Sequence, residues 1–340
     1  MKKRILSYMT VISMVLALVA GVILVGAEPS KAADQPIKLK YQGKWVGNQH
    51  MGWAAEQMKF AERVKAKTGG KVELQLMDEV KADNAVIDGV KSGILDIGAQ
   101  PIHARGELVV PNFMSMPFIL WDKAPELNDK LRPVLANFWE KKHGVQYLGV
   151  NFFLPQNLFT NKPCTTLDEL KKMKLRINGR LLVQMIKAAG GNPIVMNQAE
   201  VFTSAQRGVI DGAQTAVPGY LDSGLYEVCK YMSTWPLGVM GLAVTMNKDS
   251  WNKLSPTLQG QVMEAWLETE KAQVAGAKGD ISAAEAKAKG LGAQRMDPSR
   301  AEQGKLGSFA GPIVEDWKKT AGPDADAIMK VVNEVMGTNY

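Results

Sequence analysis

The sequence is poor in the side chains that most often carry chemistry. It holds two cysteines and three histidines in 340 residues. Two cysteines, Cys164 and Cys229, make no disulfide framework. In an oxidising compartment they can pair, or they can stand as two separate small apolar residues. His50, His103 and His143 are scattered, with no H-E-x-x-H spacing for zinc. No serine lies in a G-x-S-x-G elbow, and no glycine-rich phosphate loop precedes a Lys-Ser or Lys-Thr pair. Carboxylates are plentiful, but their pairs fall on predicted helix surfaces, where they serve solvation. These absences leave an enzyme unsupported and imply neither metal nor cofactor. Basic runs with interleaved aromatics are missing too, which argues against nucleic acid as a partner. Formal net charge is +7, of which residues 1–32 carry +3, so the remainder has a mild surplus.

Repeats and low-complexity tracts are also absent. Hydrophobic content of 46% and charged content of 22% are ordinary globular values. A chain of this length is expected to form two domains rather than one core. The one long apolar run is at the start: Lys2-Lys3-Arg4, then Ile5 to Ala27 almost without polar residues. Small residues follow, with cleavage sites after Ala27 or Ala32. This reads as a signal peptide over residues 1–32, and the mature protein is expected to be soluble and periplasmic. The alternative is an uncleaved anchor helix, since the run is long enough to span a bilayer. No cysteine sits near the exit, so a lipoprotein anchor is excluded.

Periodicity organises the rest. Ile37 to Tyr41 reads as a strand, and apolar residues from Met51 to Val64 recur at helical spacing up to Gly69-Gly70. Val72, Leu74 and Leu76 alternate with polar residues as a half-exposed strand. Asp83 to Ser92 is a short helix ending at Gly93, and Ile94 to Ala99 a buried strand. This β-α-β-α-β opening predicts a doubly wound half-domain. Pro111 to Trp121 is apolar but proline-broken. Ala124 to Lys142 is helical, and Val145 to Asn151 a strand. The chain is expected to cross into a second domain near Asn151 to Leu154 and to return near Gly238 to Asn247, giving a two-strand hinge. Ser255-Pro256 starts a helix running to about Lys289, long enough to span both domains, with Gly276 and Gly279 expected to bend or weaken it. Gly290 to Met296 reads as a return strand, and Ser299 to Met336 as two final helices.

The stretch from Asp168 to Pro218 has the rhythm of a parallel βαβ wrap. Strands are expected at Leu175 to Ile177, Pro193 to Met196 and Val209 to Ala216; helices at Leu181 to Ala189 and Glu200 to Arg207 end at Gly190-Gly191 and Gly208. In such a sheet, ligands sit beyond the carboxyl ends of the strands. Arg176 lies close to one such end, and so do Asn197, Gln198, Gln214 and Thr215. One guanidinium among neutral amides and hydroxyls suits a small organic anion. An arginine in a strand is, however, most often a surface residue or the partner of a nearby carboxylate.

The same stretch, DELKKMKLRI followed by GGNPIVMNQAEVFTSAQRGVIDG, resembles the core signature of solute-binding proteins of tripartite ATP-independent periplasmic (TRAP) transporters, the DctP-like family. The resemblance implies an α/β, two-domain periplasmic-binding-protein-like fold with a two-strand hinge and a long domain-spanning helix. The expected lobes are 33–152 with about 240–275, and 153–239 with about 276–340. It implies that Arg176 pairs with the substrate carboxylate, and that Trp45, Asn48, Asn84 and Gln100 approach the ligand from the first lobe. Capping by the two asparagines and packing of Trp45 explain those residues equally well. It also implies small and large TRAP membrane subunits as partners of a monomeric receptor.

Two departures from the family pattern bear on the ligand. Gln156 stands where many relatives carry a second arginine, and Gln214-Thr215 stand where Glu-Asn is common. Arg180 is extra. A single cationic anchor favours a monoanion, a short carboxylate or a sulfonate such as isethionate, over the ligands of the sialate and C4-dicarboxylate binders. A binding protein of an ABC-type importer or of a sensor kinase has similar physics, and a two-domain hydrolase without a recognised motif is the remaining alternative.

Overall fold

A computed structural model describes residues 35–44, 52–82, 85–102 and 110–340. The expected signal peptide, Trp45, Asn48, Asn84, His50 and His103 lie outside the described residues. Strand β1 (Ile37–Gln42), helix α1 (Gly52–Lys67), β2 (Val72–Leu76), α2 (Val86–Lys91) and β3 (Ile97–Pro101) form the opening wrap. A 3-10 turn (Pro111–Ser115), α3 (Ala124–His143) and β4 (Val145–Pro155) follow. Next come β5 (Asn157–Thr160), α4 (Leu167–Lys172), β6 (Lys174–Arg176), α5 (Arg180–Ala188), β7 (Asn192–Ile194), α6 (Gln198–Gln206), β8 (Gly212–Thr215), α7 (Val217–Asp222) and β9 (Tyr231–Ser233). The chain closes with β10 (Val239–Asn247), α8 (Lys248–Asn252), α9 (Pro256–Gly290), β11 (Gln294–Arg295), α10 (Arg300–Gly307), α11 (Ala310–Ala321) and α12 (Ala325–Met336).

Two sheets result, in the orders β2-β1-β3-β10-β4 and β11-β9-β5-β8-β6-β7. In the first, β1 and β3 are parallel, while β10 runs antiparallel to both β3 and β4. In the second, β6 is parallel to β7 and β8, the arrangement a βαβ wrap demands. The chain passes between sheets at Pro155–Asn157 and again just before Val239. These passages are hydrogen-bonded to each other: Val239 pairs with Pro155, and the Gln156 amide donates to the Gly238 carbonyl at 3.2 Å. Gly238 has φ +70 and presses on the backbone of Ser115 and Met116, where an added Cβ would lie 2.6 Å from the Ser115 carbonyl.

The first sheet buries one face against α3 and the 3-10 turn, around Phe113, Trp139 and Trp317. On its other face Tyr41, Phe60 and Trp266 meet edge to face under α1 and α9. Helix α9 has 35 residues, about 50 Å at 1.5 Å each. The Ser255 hydroxyl caps it, accepting from the Leu258 amide, and Pro256 occupies its first turn. Three successive β4 residues hold its first half: Gly149 receives the Trp266 indole, the Val150 amide donates to Glu270, and Asn151 accepts from Gln273. Glu270 also accepts from Arg132 and Asn128. Toward the second sheet the helix buries mainly Ala277, Ala284 and Ala288.

Several expectations need correcting. The closing segment after Ser299 forms three helices rather than two, and α12 packs on α3 beside the first sheet. The return strand is only Gln294–Arg295. Helix α9 is unbroken through Gly276 and Gly279, so neither glycine ends it. Of the alternating residues in β2, Val72 is fully buried while Leu76 is 38% exposed. Strand β3 starts at Ile97, leaving Ile94 in the preceding turn and exposed. Strand β8 is similarly shorter than its apolar run, starting at Gly212. Cys164 and Cys229 are free, buried thiols in separate apolar clusters.

Candidate functional site

The site is built at the end of β6. A capping box starts α4: the Thr166 hydroxyl accepts from the Glu169 amide, and the Glu169 carboxylate accepts from the Thr166 amide. This short helix delivers the chain into β6, which lies between β7 and β8 with Arg176 opposite Ile194 and Ala213. Arg176 is the last residue of the strand and is 4% exposed. Its Nε and Nη2 both donate to the Met196 carbonyl at 3.3 Å, and Nη1 donates to the Gln214 carbonyl at 3.1 Å.

No carboxylate among the described residues pairs with this guanidinium. Burial pushes it down to about 10, so it stays charged at neutral pH. Backbone dipoles hold it, but they do not neutralise it. Three of the five N–H groups of an arginine are thereby used, leaving one on each terminal nitrogen for an acceptor. Those two donors in one plane match the two oxygens of a carboxylate.

Gln214 and Gln156 complete the buried part. Gln214 Oε1 accepts from the Asn178 amide at 2.9 Å, and its Nε2 donates to Gln156 Oε1 at 3.0 Å. Both glutamines are nearly inaccessible. Thr215, half-buried, ends β8 with its hydroxyl against Gly219 of α7. Asn197 and Gln198 are exposed at the start of α6, where the Asn197 amide donates to the Glu200 carboxylate. The structure therefore brings Arg176, Gln214 and Gln156 together and sets Thr215, Asn197 and Gln198 at the neighbouring strand ends.

Gln100 belongs to the first sheet, where its Nε2 donates to the Thr245 hydroxyl at 3.1 Å. Its buried Oε1 has no hydrogen-bond partner among the described residues. Arg180, extra in the sequence, turns to Asp316 of α11 at 3.9 Å and stays outside the buried site. His143 packs against Phe138 and Trp139. Among the described residues no cluster of histidine, cysteine, aspartate or glutamate could hold a metal ion. The contributors that sequence reading missed are the carbonyls of Met196 and Gln214 and the amide of Asn178. Main-chain groups carry no residue-type signal, and only the strand-end positions of their residues pointed to them.

Two α/β halves joined by paired crossing strands, with a buried arginine at a strand end of the second sheet, define the class as a two-domain binding-protein fold. The family model described as bacterial extracellular solute-binding protein, family 7, matches residues 45–320, and the chain belongs to this family, the DctP-like solute-binding proteins of TRAP transporters. A solute-binding protein of Chromohalobacter salexigens is 29% identical over 268 residues, covering 76% of this chain and 79% of that protein. The 2,3-diketo-L-gulonate-binding periplasmic protein of Escherichia coli K12 is 28% identical over 238 residues, covering 68% and 71%. Among solved structures, a TRAP periplasmic solute-binding protein of Chromohalobacter salexigens with bound D-glucuronate superposes with a TM-score of 0.78 at 25% identity, covering 88% of this chain and 99% of that one. The family consists of extracytoplasmic receptors that work with membrane subunits, so the chain is a binding protein and not a hydrolase. No helix among the described residues is long and apolar enough to cross a membrane.

Proposed function

We propose that this receptor captures a small monoanionic organic acid between its two lobes, with Arg176 as the anchor. The observation that carries the proposal is the buried Arg176 guanidinium with no carboxylate partner among the described residues. A charge kept in low dielectric without a counter-ion is costly, and an incoming anion removes that cost. Thr215, Asn197 and Gln198 are the proposed neutral contacts on the same side, and Gln100, Trp45, Asn48 and Asn84 the contacts from the first lobe.

The lobes proposed are 33–152 with about 240–275, and 153–239 with about 276–340, the last helix returning to pack on α3. Paired crossing strands and the long α9 are the parts expected to accommodate closure. Export through cleavage of residues 1–32, and delivery by a monomer to small and large TRAP membrane subunits, belong to the same reading.

Gln156, neutral and already bonded to Gln214, supports selectivity for one negative charge. D-glucuronate and 2,3-diketo-L-gulonate, the ligands named for two similar proteins, each carry a single carboxylate. Carboxylates of this kind, and sulfonates such as isethionate, are the proposed ligands. A thermal-shift panel of D-glucuronate, 2,3-diketo-L-gulonate, acetate, isethionate, succinate and malate tests this. A monoanion should give the largest stabilisation, whereas a larger shift with succinate or malate than with every monoanion would overturn the single-anchor reading.

A further inference from the structure

We propose that Gln156 and Gln214 are positioning residues: their buried amide pair fixes the Arg176 guanidinium and ties it to the crossing strands. The proposal rests on Arg176 being the anchor but concerns what holds that anchor in place.

Gln214 is tied at three points. Its carbonyl accepts from Arg176 Nη1, its Oε1 accepts from the Asn178 amide just beyond β6, and its Nε2 donates to Gln156 Oε1. The first two bonds clamp β8 to the exit of β6, and so fix the main chain on both sides of Arg176. The third leads out of the second sheet. Gln156 is the single residue between β4 and β5, and its amide donates to the Gly238 carbonyl on the returning strand. Gly238 is in turn wedged against Ser115 and Met116 beside the first sheet. A continuous path of hydrogen bonds and one backbone contact thus links the first half of the molecule to the guanidinium.

The hydrogen bonds that both side chains make are internal to the protein, with one N–H of each Nε2 used in them. One Gln214 Nε2 hydrogen and the Gln156 Oε1 acceptor are spent on each other, and the second Gln156 bond, from Nε2 to the Leu154 carbonyl, is internal too. Both side chains are more than nine-tenths buried. An apolar residue at 156 would leave Gln214 Nε2 buried without an acceptor, so Gln214 would shift and release its hold on Arg176. A carboxylate at 156 would still accept from Gln214.

Hydrogen exchange of the Arg176 Nε–H, followed by NMR in the ligand-free mature protein and identified by its loss in Arg176→Lys, tests this directly. Wild type should show a protected signal. Gln156→Leu should accelerate its exchange at least tenfold, Gln214→Leu likewise, and Gln156→Glu should keep it within threefold of wild type. Exchange in Gln156→Leu within threefold of wild type would overturn the proposal. So would equal acceleration in Gln156→Leu and Gln156→Glu, which marks a merely structural role, or a wild-type Nε–H without protection. None of these readouts uses a ligand. Failure of the anchor reading would appear separately, as unchanged anion affinity in Arg176→Ala.

Discussion

Arg176 and Met196 meet through a forked hydrogen bond, with Nε and Nη2 of the guanidinium both 3.3 Å from one carbonyl oxygen. That carbonyl ends the turn between β7 and α6, so the neighbouring strand aims the guanidinium. With one side of the fork occupied, the remaining donors on the terminal nitrogens are left for a ligand. The relationship orients the cation and leaves its charge unpaired, and the pH behaviour follows from that.

Burial lowers the Arg176 pKa to about 10 in the ligand-free protein. A bound anion favours the charged form and raises it again. Affinity should therefore be flat from about pH 7 to 9 and fall as pH rises above about 10, toward tenfold per unit. Ligand-free stability should move the opposite way. A base whose folded pKa lies below its unfolded value costs stability while charged, and the cost is relieved as pH rises through the folded pKa. Calorimetric affinities across this range check the first part, and the pH-dependent stability difference between wild type and Arg176→Met checks the second. Affinity already falling steeply between pH 7 and 9 would contradict it.

Gly238 should be the least replaceable residue of the crossing strands. Its φ is +70, and an added Cβ would lie 2.6 Å from the Ser115 carbonyl carbon and oxygen. Gly208 has nearly the same φ, +71, with nothing within 4 Å of the added atom. Gly208→Ala should cost roughly 1–2 kcal/mol for the left-handed backbone alone. Gly238→Ala should cost about 1–3 kcal/mol more from overpacking. Denaturant unfolding of the two variants measures the difference; equal losses would show that Ser115 and Met116 yield.

Glu270 ties α9 to α3 and β4, and it is 7% exposed. Burial pushes its carboxyl up, against the pull of Arg132 and the Val150 amide. Arg132→Met strands that carboxylate and should cost about 3 kcal/mol. Adding Glu270→Gln should recover most of the loss, because the amide oxygen still accepts from Val150. A double variant as unstable as Arg132→Met would contradict this account of the network.

How much of this was legible in the sequence differs between elements. The βαβ rhythm of Asp168 to Pro218 and the Ser255-Pro256 helix start emerge as expected, because periodicity and glycine stops are local signals, while the first crossing falls at Pro155–Asn157, just past the Asn151 to Leu154 expected for it. The Thr166-x-x-Glu169 capping box is an equally local signal. Failures come where tertiary packing decides. Leu76 alternates like a buried strand residue yet is exposed, since only the start of β2 is covered. The three closing helices are divided by short interruptions at Ser308–Phe309 and Gly322–Asp324 that apolar spacing alone does not mark. In the site, Arg176 was legible from its strand-end position. The Gln156–Gln214 pair was not, because residues 58 apart in sequence meet only once β5 lies against β8.

The most direct test of the anchor is calorimetry of the monoanion giving the largest thermal shift, titrated into wild type, Arg176→Ala and Arg176→Lys, beside ligand-free melting curves. Removing one partner of a buried ion pair costs about 3–5 kcal/mol, so Arg176→Ala should weaken binding by roughly a hundredfold or more. Arg176→Lys keeps the charge but loses the planar fork, and should also be clearly impaired. Ligand-free melting should change little, because three lost hydrogen bonds to two carbonyls are offset by removal of an uncompensated buried charge. Affinity of Arg176→Ala within about threefold of wild type (well under one 1.4 kcal/mol decade), with a lowered ligand-free Tm, would contradict the account and make Arg176 a structural residue.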